Sequence, residues 1–170
     1  LAFFVISLAI FGLTAGAVWV YLKGERFTAK TLSYDLAYFS GLLALATAVC
    51  LAAQMTLAPV LTRLATTFWV WTELAVCLAL PFFFAGVVIS LALTRSPYPV
   101  SRIYRVDLVG AASGAVGALL LLQLTDGPSA VLWVAVFAAA GALAFRASGF
   151  RTEPENKPPL HTWLWERQWI

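Results

Sequence analysis

The sequence is poor in charge and in the side chains that most often hold metals and cofactors. Charged residues make up 11% of the 170 residues, and there are one histidine, two cysteines and one methionine. A soluble domain averages about 25% charged residues. Haem is commonly held by an axial histidine, and His161 lies outside every long apolar run. The composition therefore excludes an ordinary soluble domain and predicts no bound cofactor.

Recognisable catalytic motifs are missing as well. The sequence has no Gly-rich nucleotide loop and no Ser/His/Asp set, and its polar segments are too short to hold an active site. Cys50 and Cys77 fall in apolar runs, where a cysteine usually behaves as a small hydrophobe. We therefore predict no catalytic, cofactor-binding or metal-binding residue, and any enzymatic activity would need a further domain.

Apolar residues make up 62% of the chain, and the mean hydropathy is +0.88. The runs are apolar on every face over about 20 residues, as spanning helices require. A barrel strand would instead alternate polar and apolar residues over about 10 positions. We predict an all-α, polytopic membrane bundle with a transmembrane domain over 1–149 and a tail over 150–170. The five predicted spans cover residues 1–22, 36–59, 74–93, 108–124 and 128–145.

The basic residues are distributed unevenly between the two predicted sides of the membrane. Five spans place ten of the eleven lysines and arginines on one side and leave only Arg63 on the other. Lysine and arginine accumulate in cytoplasmic loops. We predict that the first residue lies outside and that the tail is cytoplasmic. The net charge of +3 is then a signal of topology and not of nucleic-acid binding.

The two ends of the sequence carry separate expectations. Leu1 lies inside an apolar run without a preceding basic segment, which is unlike a signal peptide. We expect a piece of a longer chain, or a chain whose leading segment is missing. The tail carries Trp163, Trp165 and Trp169, which favour a short interfacial helix or a contact with a partner subunit. The tail is also compatible with the start of a further domain.

Two acidic residues at the predicted membrane boundaries are candidate functional sites. Asp107 opens the fourth span, where a helix dipole favours a carboxylate and where Arg102, Arg105 or a neighbouring helix offers a partner. A contact with a substrate or coupling ion is the alternative. Glu73 lies at the outer end of the third span, as a solvated acid or as a partner-bound or proton-handling one.

Small residues mark two helix faces suited to close packing. Gly12 and Gly16 form a GxxxG pair in the first span, and Gly110 and Gly114, followed by Gly117, form a second in the fourth. Both pairs continue with Ala-Val, an echo that we attribute to chance. Neither pair names a partner, because GxxxG pairs are common in membrane helices.

Other side chains add detail to the predicted helices. Tyr104 and Asp107 share the small-residue face of the fourth span at helical spacing. Pro81 lies inside the third span, where it predicts a kink and, as an alternative, a gating hinge. Trp19 and Tyr21 lie at the inner end of the first span, as expected of an interfacial aromatic belt.

Residues 74–149 resemble the membrane domain of spermidine synthase-like proteins, bacterial homologues of polyamine aminopropyltransferases. The residues that carry the resemblance are Leu80–Thr94, Arg102, Tyr104, Asp107–Ala111, Gly114 and Asp126–Ser129. In that family a multi-helix membrane region precedes a cytoplasmic catalytic domain with a Gly-rich loop and acidic residues for the amine. Those catalytic elements are not in this sequence, so the resemblance implies no catalytic residue here.

The resemblance and the composition together lead to three hypotheses. The first is a non-catalytic membrane domain that anchors or serves a fused cytoplasmic module in the bacterial inner membrane. The second is an accessory structural subunit of a larger membrane complex, and the weaker third is a transporter fragment. In each, we expect membrane lipids and other membrane subunits or a fused domain as partners, and no nucleic acid.

Overall fold

The computed structural model describes residues 2–28, 31–56 and 64–148, with the backbone alone for residues 64–66. These ranges contain no strand. Five of the helices are long and apolar enough to cross a membrane. The predicted tail tryptophans Trp163, Trp165 and Trp169 lie outside the described residues. The helices are α1 (Ala2–Leu22), α2 (Leu32–Thr56), α3 (Leu64–Arg95), α4 (Val100–Leu124) and α5 (Gly127–Ser148), with a short 3₁₀ turn over Gly24–Arg26.

These segments are helical because a helix satisfies its backbone groups internally, which an apolar solvent demands. The few hydroxyl side chains follow the same rule. Thr14, Thr47 and Ser113 each donate a hydrogen bond to the carbonyl four residues earlier, over 2.7 to 2.8 Å. A hydroxyl that bonds its own helix leaves the apolar surface free for packing.

Helices α1 and α3 lie side by side in parallel. Phe4 near the start of α1 meets the ring of Trp71, with 5.6 Å between the ring centroids. Beyond the other end of α1, Arg95 Nη2 donates a 2.8 Å hydrogen bond to the carbonyl oxygen of Gly24. Because both ends are in register, the α1–α2 and α3–α4 connections lie at the same end of the bundle.

The most buried part of the bundle lies near this shared end. Val87 and Leu91 of α3 are fully buried against residues of α1, α2 and their connection. Trp19 packs edge-on against Phe27 and Phe39, at centroid distances of 5.7 and 5.6 Å. The sequence predicts Trp19 in an interfacial belt, and the structure shows its ring half-buried and packed against this cluster. The buried cluster comprises Val20, Phe27, Leu32, Leu36, Phe39, Val87 and Leu91.

Helix α4 differs from the other four. Helix α5 packs along α2, and α2 also packs on α3, whereas α4 touches α3 and α5 only slightly. None of the 25 residues of α4, all of them described, is buried. Its half-buried positions are Ile103, Gly117 and Leu121. These three share one helical face by spacing, so this face is the one turned toward the bundle.

Several helices extend beyond the predicted spans. α3 begins ten residues before the predicted start at Leu74 and continues through Pro81 as one helix of 32 residues. α4 begins at Val100, so Asp107 lies in the helix interior, and the expectation that it stands at a helix N-terminus is wrong. Helices can continue past the hydrocarbon core into the interface, where composition no longer marks their ends. The membrane boundaries themselves remain predictions.

Candidate functional site

A cavity of about 450 Å³ lies between α2, α3, α4 and α5 at the end that carries the α3–α4 connection. Its size is within the range of ligand pockets, about 300–1,000 Å³. Apolar side chains form most of its wall, and four polar or ionisable residues join them. The apolar residues are Leu36, Val88, Ile89, Ala92, Leu93, Ile103, Val106 and Phe145, and the others are Ser96, Tyr98, Arg102 and Asp107.

Arg102 occupies the connection side of this cavity. Its guanidinium carbon lies 5.3 Å from the ring centroid of Tyr98, a cation–π distance. The ring positions the guanidinium and leaves its N–H groups able to donate to a ligand. The Tyr98 backbone N–H in turn donates a 3.3 Å hydrogen bond to Ser96 Oγ, which orders the connection.

Asp107 lines the same cavity, five residues further along α4. Five residues correspond to about 7.5 Å along a helix axis. The sequence predicts a pairing with Arg102 or Arg105, but Asp107 has no ion pair or hydrogen bond within the described residues. The cavity therefore contains one cationic and one anionic side chain that do not form an ion pair with each other.

The small-residue face of α4 continues from this cavity along the helix. Gly110 is seven residues from both Ile103 and Gly117, so it shares their bundle-facing side. Among the described residues outside the local helix, no atom lies within 4 Å of a Cβ built on Gly110, Gly114 or Gly117. This face is therefore separated from the bundle by a gap.

The other small-residue pair is in tight contact. A Cβ built on Gly12 would lie 2.5 Å from the carbonyl oxygen of Ala79. A Cβ on Gly16 would overlap the carbonyl oxygen of Phe83, and one on Gly86 would overlap that of Leu13. Glycine is needed at these positions because the α1 and α3 backbones approach too closely for any side chain.

The remaining predicted site residues lie apart from the cavity. Glu73 is exposed on α3, about 33 Å from Arg95 at 1.5 Å per residue. Tyr104 is 54% exposed on α4, and Arg105 is exposed without a hydrogen bond or ion pair among the described residues. These three do not join one site. The tail tryptophans lie outside the described residues, so the structure assigns them no place.

Two pairs of residues that the fold brings together could not be predicted from the sequence. Cys50 of α2 and Cys77 of α3 are free thiols that lie near each other. The hydrogen bond from Arg95 to Gly24 joins residues that are 71 positions apart. Neither pair has a local sequence signal, because each depends on which helices become neighbours. Within the described residues, no group of three or more His, Cys, Asp or Glu side chains could hold a metal ion.

Comparison with protein-family models, with curated proteins and with solved structures finds no match to this chain. The geometry of the cavity and of α4 is therefore the basis for the assignment of function.

Proposed function

We propose that this chain is a non-catalytic membrane domain or subunit that assembles with a larger protein through α4. The small-residue face of α4, which a gap separates from the rest of the bundle, is the observation that carries the proposal. Close helix–helix contact in a membrane depends on small residues, because they let two backbones approach. The α1–α3 contact shows that this chain uses such residues for tight packing, whereas a Cβ built on the equivalent residues of α4 would meet no atom within 4 Å among the described residues.

The proposed orientation places the connection-bearing end of the bundle in the cytoplasm. Arg95 bonds to Gly24 there, and Arg102 and Phe145 line one cavity, so three segments meet at this end. The described basic residues of these segments are Lys23, Arg26, Arg95, Arg102, Arg105 and Arg146. Their clustering supports a cytoplasmic end, since lysine and arginine mark that side.

The proposed partner is a membrane protein or a fused module on the cytoplasmic side. The resemblance of residues 74–149 to spermidine synthase-like membrane domains suggests an enzyme module, and the cytoplasmic tail would connect to it. An accessory subunit of another bacterial membrane complex uses the same α4 contact. In both cases the activity resides in the partner, and this chain supplies membrane attachment and packing surface.

Native purification in mild detergent tests the assembly. The chain is extracted from its own membrane, and its companions are identified from the size and composition of the particle. We expect a complex larger than the 18.4 kDa chain. Gly114→Leu should disrupt that complex, because a large side chain prevents close backbone approach.

The matched control is Ala112→Leu, which adds the same bulk on the opposite side of α4. It should leave the complex intact. A monodisperse monomer from native membranes would contradict the proposal. Equal loss of the partner in both variants would contradict the assignment to the small-residue face.

A further inference from the structure

We propose that the cavity at the cytoplasmic end of α4 binds one phospholipid with an ethanolamine headgroup. The inference rests on the membrane placement proposed above and concerns a different stretch of α4. The cavity is lined by the stretch from Arg102 to Asp107, whereas the partner contact uses the stretch from Gly110 to Gly117. The occupant is a lipid of the surrounding bilayer.

The shape and lining of the cavity fit an amphipathic ligand. The walls are mainly aliphatic, with Val88, Ile89 and Val106 among them, and a volume of about 450 Å³ accommodates part of an acyl chain. The polar groups belong to α4 and the α3–α4 connection. Basic pockets between membrane helices on the cytoplasmic side are known to hold lipid headgroups.

Charge complementarity selects the headgroup. The Arg102 guanidinium, held over Tyr98, can donate two parallel hydrogen bonds to a phosphate. The Asp107 carboxylate, which has no hydrogen bond or ion pair within the described residues, can accept hydrogen bonds from a primary ammonium. A phosphatidylethanolamine carries both groups. A phosphatidylglycerol would satisfy Arg102 and face Asp107 with no cation, and the trimethylammonium of a phosphatidylcholine has no N–H to donate.

Native mass spectrometry of the full chain tests the site directly. The protein is stripped of lipid in detergent and then offered phosphatidylethanolamine, phosphatidylglycerol and phosphatidylcholine with identical acyl chains. We expect one retained lipid, with the ethanolamine form preferred. Arg102→Gln should lower retention of all three about tenfold, because a charge-assisted bond to the phosphate is lost.

Asp107→Asn should have a different signature. It should remove the preference for phosphatidylethanolamine and raise the relative retention of phosphatidylglycerol, because the repulsive carboxylate is gone. Val106→Trp fills the cavity from the exposed α4 side, so it should reduce retention of every lipid. Arg105→Gln and Glu73→Gln are the matched controls, since neither residue lines the cavity.

Circular dichroism of each variant measures its helix content and so distinguishes a folding defect from a binding defect. Val106→Trp tests lipid binding without a change in charge. Equal retention of the three lipids, insensitive to Arg102→Gln and Asp107→Asn, would overturn the proposal and indicate non-specific boundary lipid. If the unsubstituted chain retains no more lipid than Val106→Trp, the proposal is also overturned, and protein side chains fill the cavity. Arg102→Gln should lose lipid while the complex stays intact, and Gly114→Leu should lose the complex while lipid is retained. These two results would distinguish the lipid site from the proposed assembly.

Discussion

Helices α1 and α4 carry the same sequence pattern, Gly-x-x-x-Gly-Ala-Val, but its glycines are tightly packed in α1 and unpacked in α4. In α1 the two glycines are buried against the α3 backbone. In α4 the corresponding glycines contact no atom outside their own helix within the described residues. The difference arises from α3, which presents Gly86 and a close backbone to α1 and presents nothing equivalent to α4. A small-residue motif therefore enables contact, and the neighbouring helix decides whether contact occurs.

The largest expected difference between the two motifs is in stability. Gly16→Ala places a methyl group against the Phe83 carbonyl and within 2.9 Å of the Val87 nitrogen, so the helices must separate. Overpacking of this kind costs about 3 kcal/mol at its upper range. Gly114→Ala should be neutral or stabilising by up to about 1 kcal/mol, because alanine favours helix and space is open. Unfolding of both variants in detergent measures the difference, and equal destabilisation would contradict it.

A second comparison uses leucines instead of glycines. Leu91 of α3 is fully buried, whereas Leu120 of α4 is 54% exposed. Leu91→Ala should lower the free energy of unfolding by about 2 kcal/mol, the low end for buried leucine, because lipid removes the water-transfer part. Leu120→Ala should change it by less than about 0.5 kcal/mol. Equal sensitivity of thermal unfolding in detergent to both substitutions would contradict the loose packing of α4.

The hydrogen bond from Arg95 to Gly24 fastens the α1–α3 pair at its connection end. Arg95→Gln should destabilise the bundle by about 1 kcal/mol, since the bond is charge-assisted but exposed. Arg105→Gln on α4 is the control with no partner among the described residues, and it should leave the unfolding midpoint unchanged. A similar shift in both variants would point to general charge effects in place of this contact.

The smallest effect is expected at the start of α5. Ser129 donates hydrogen bonds to Asp126 from its hydroxyl over 2.8 Å and from its backbone over 3.3 Å, which holds the pKa of Asp126 below its ordinary value. A lowered pKa stabilises the fold above the ordinary value of about 3.9 and loses that contribution as pH falls below it. Thermal unfolding between pH 6 and 3 should therefore show a slight acid loss.

Asp126→Asn provides the matched test. Asparagine is as good a helix cap as aspartate but does not titrate. Its melting temperature should lack the acid-dependent component seen in the parent chain. An unchanged pH profile in this variant would assign the acid loss to another carboxyl group.

The helical architecture could be predicted from the sequence because it depends on local composition. A run of about 20 apolar residues must form a helix in lipid, whatever its neighbours are. The ends of α3 and α4 could not be predicted as well, since the helices continue through residues such as Asp107 that look like boundary residues.

The candidate site was predictable only in part. Asp107 and Arg102 stand out in the sequence because charges are rare near the spans, and the structure places both on one cavity. Their lack of mutual pairing and the participation of Tyr98 and Phe145 had no sequence signal. A cavity is defined by side chains from several helices, so its existence depends on how those helices pack.

Local sequence is enough to make the described chain helical and apolar enough to cross a membrane five times. Backbone hydrogen bonding and apolar composition are local properties, and they fix that result without reference to any contact. The packing of the helices determines that Gly12 and Gly16 lie against α3, that Trp19 packs on the buried cluster and that the face of Gly110 is open among the described residues. Those outcomes depend on shape complementarity between distant segments, which no single segment encodes.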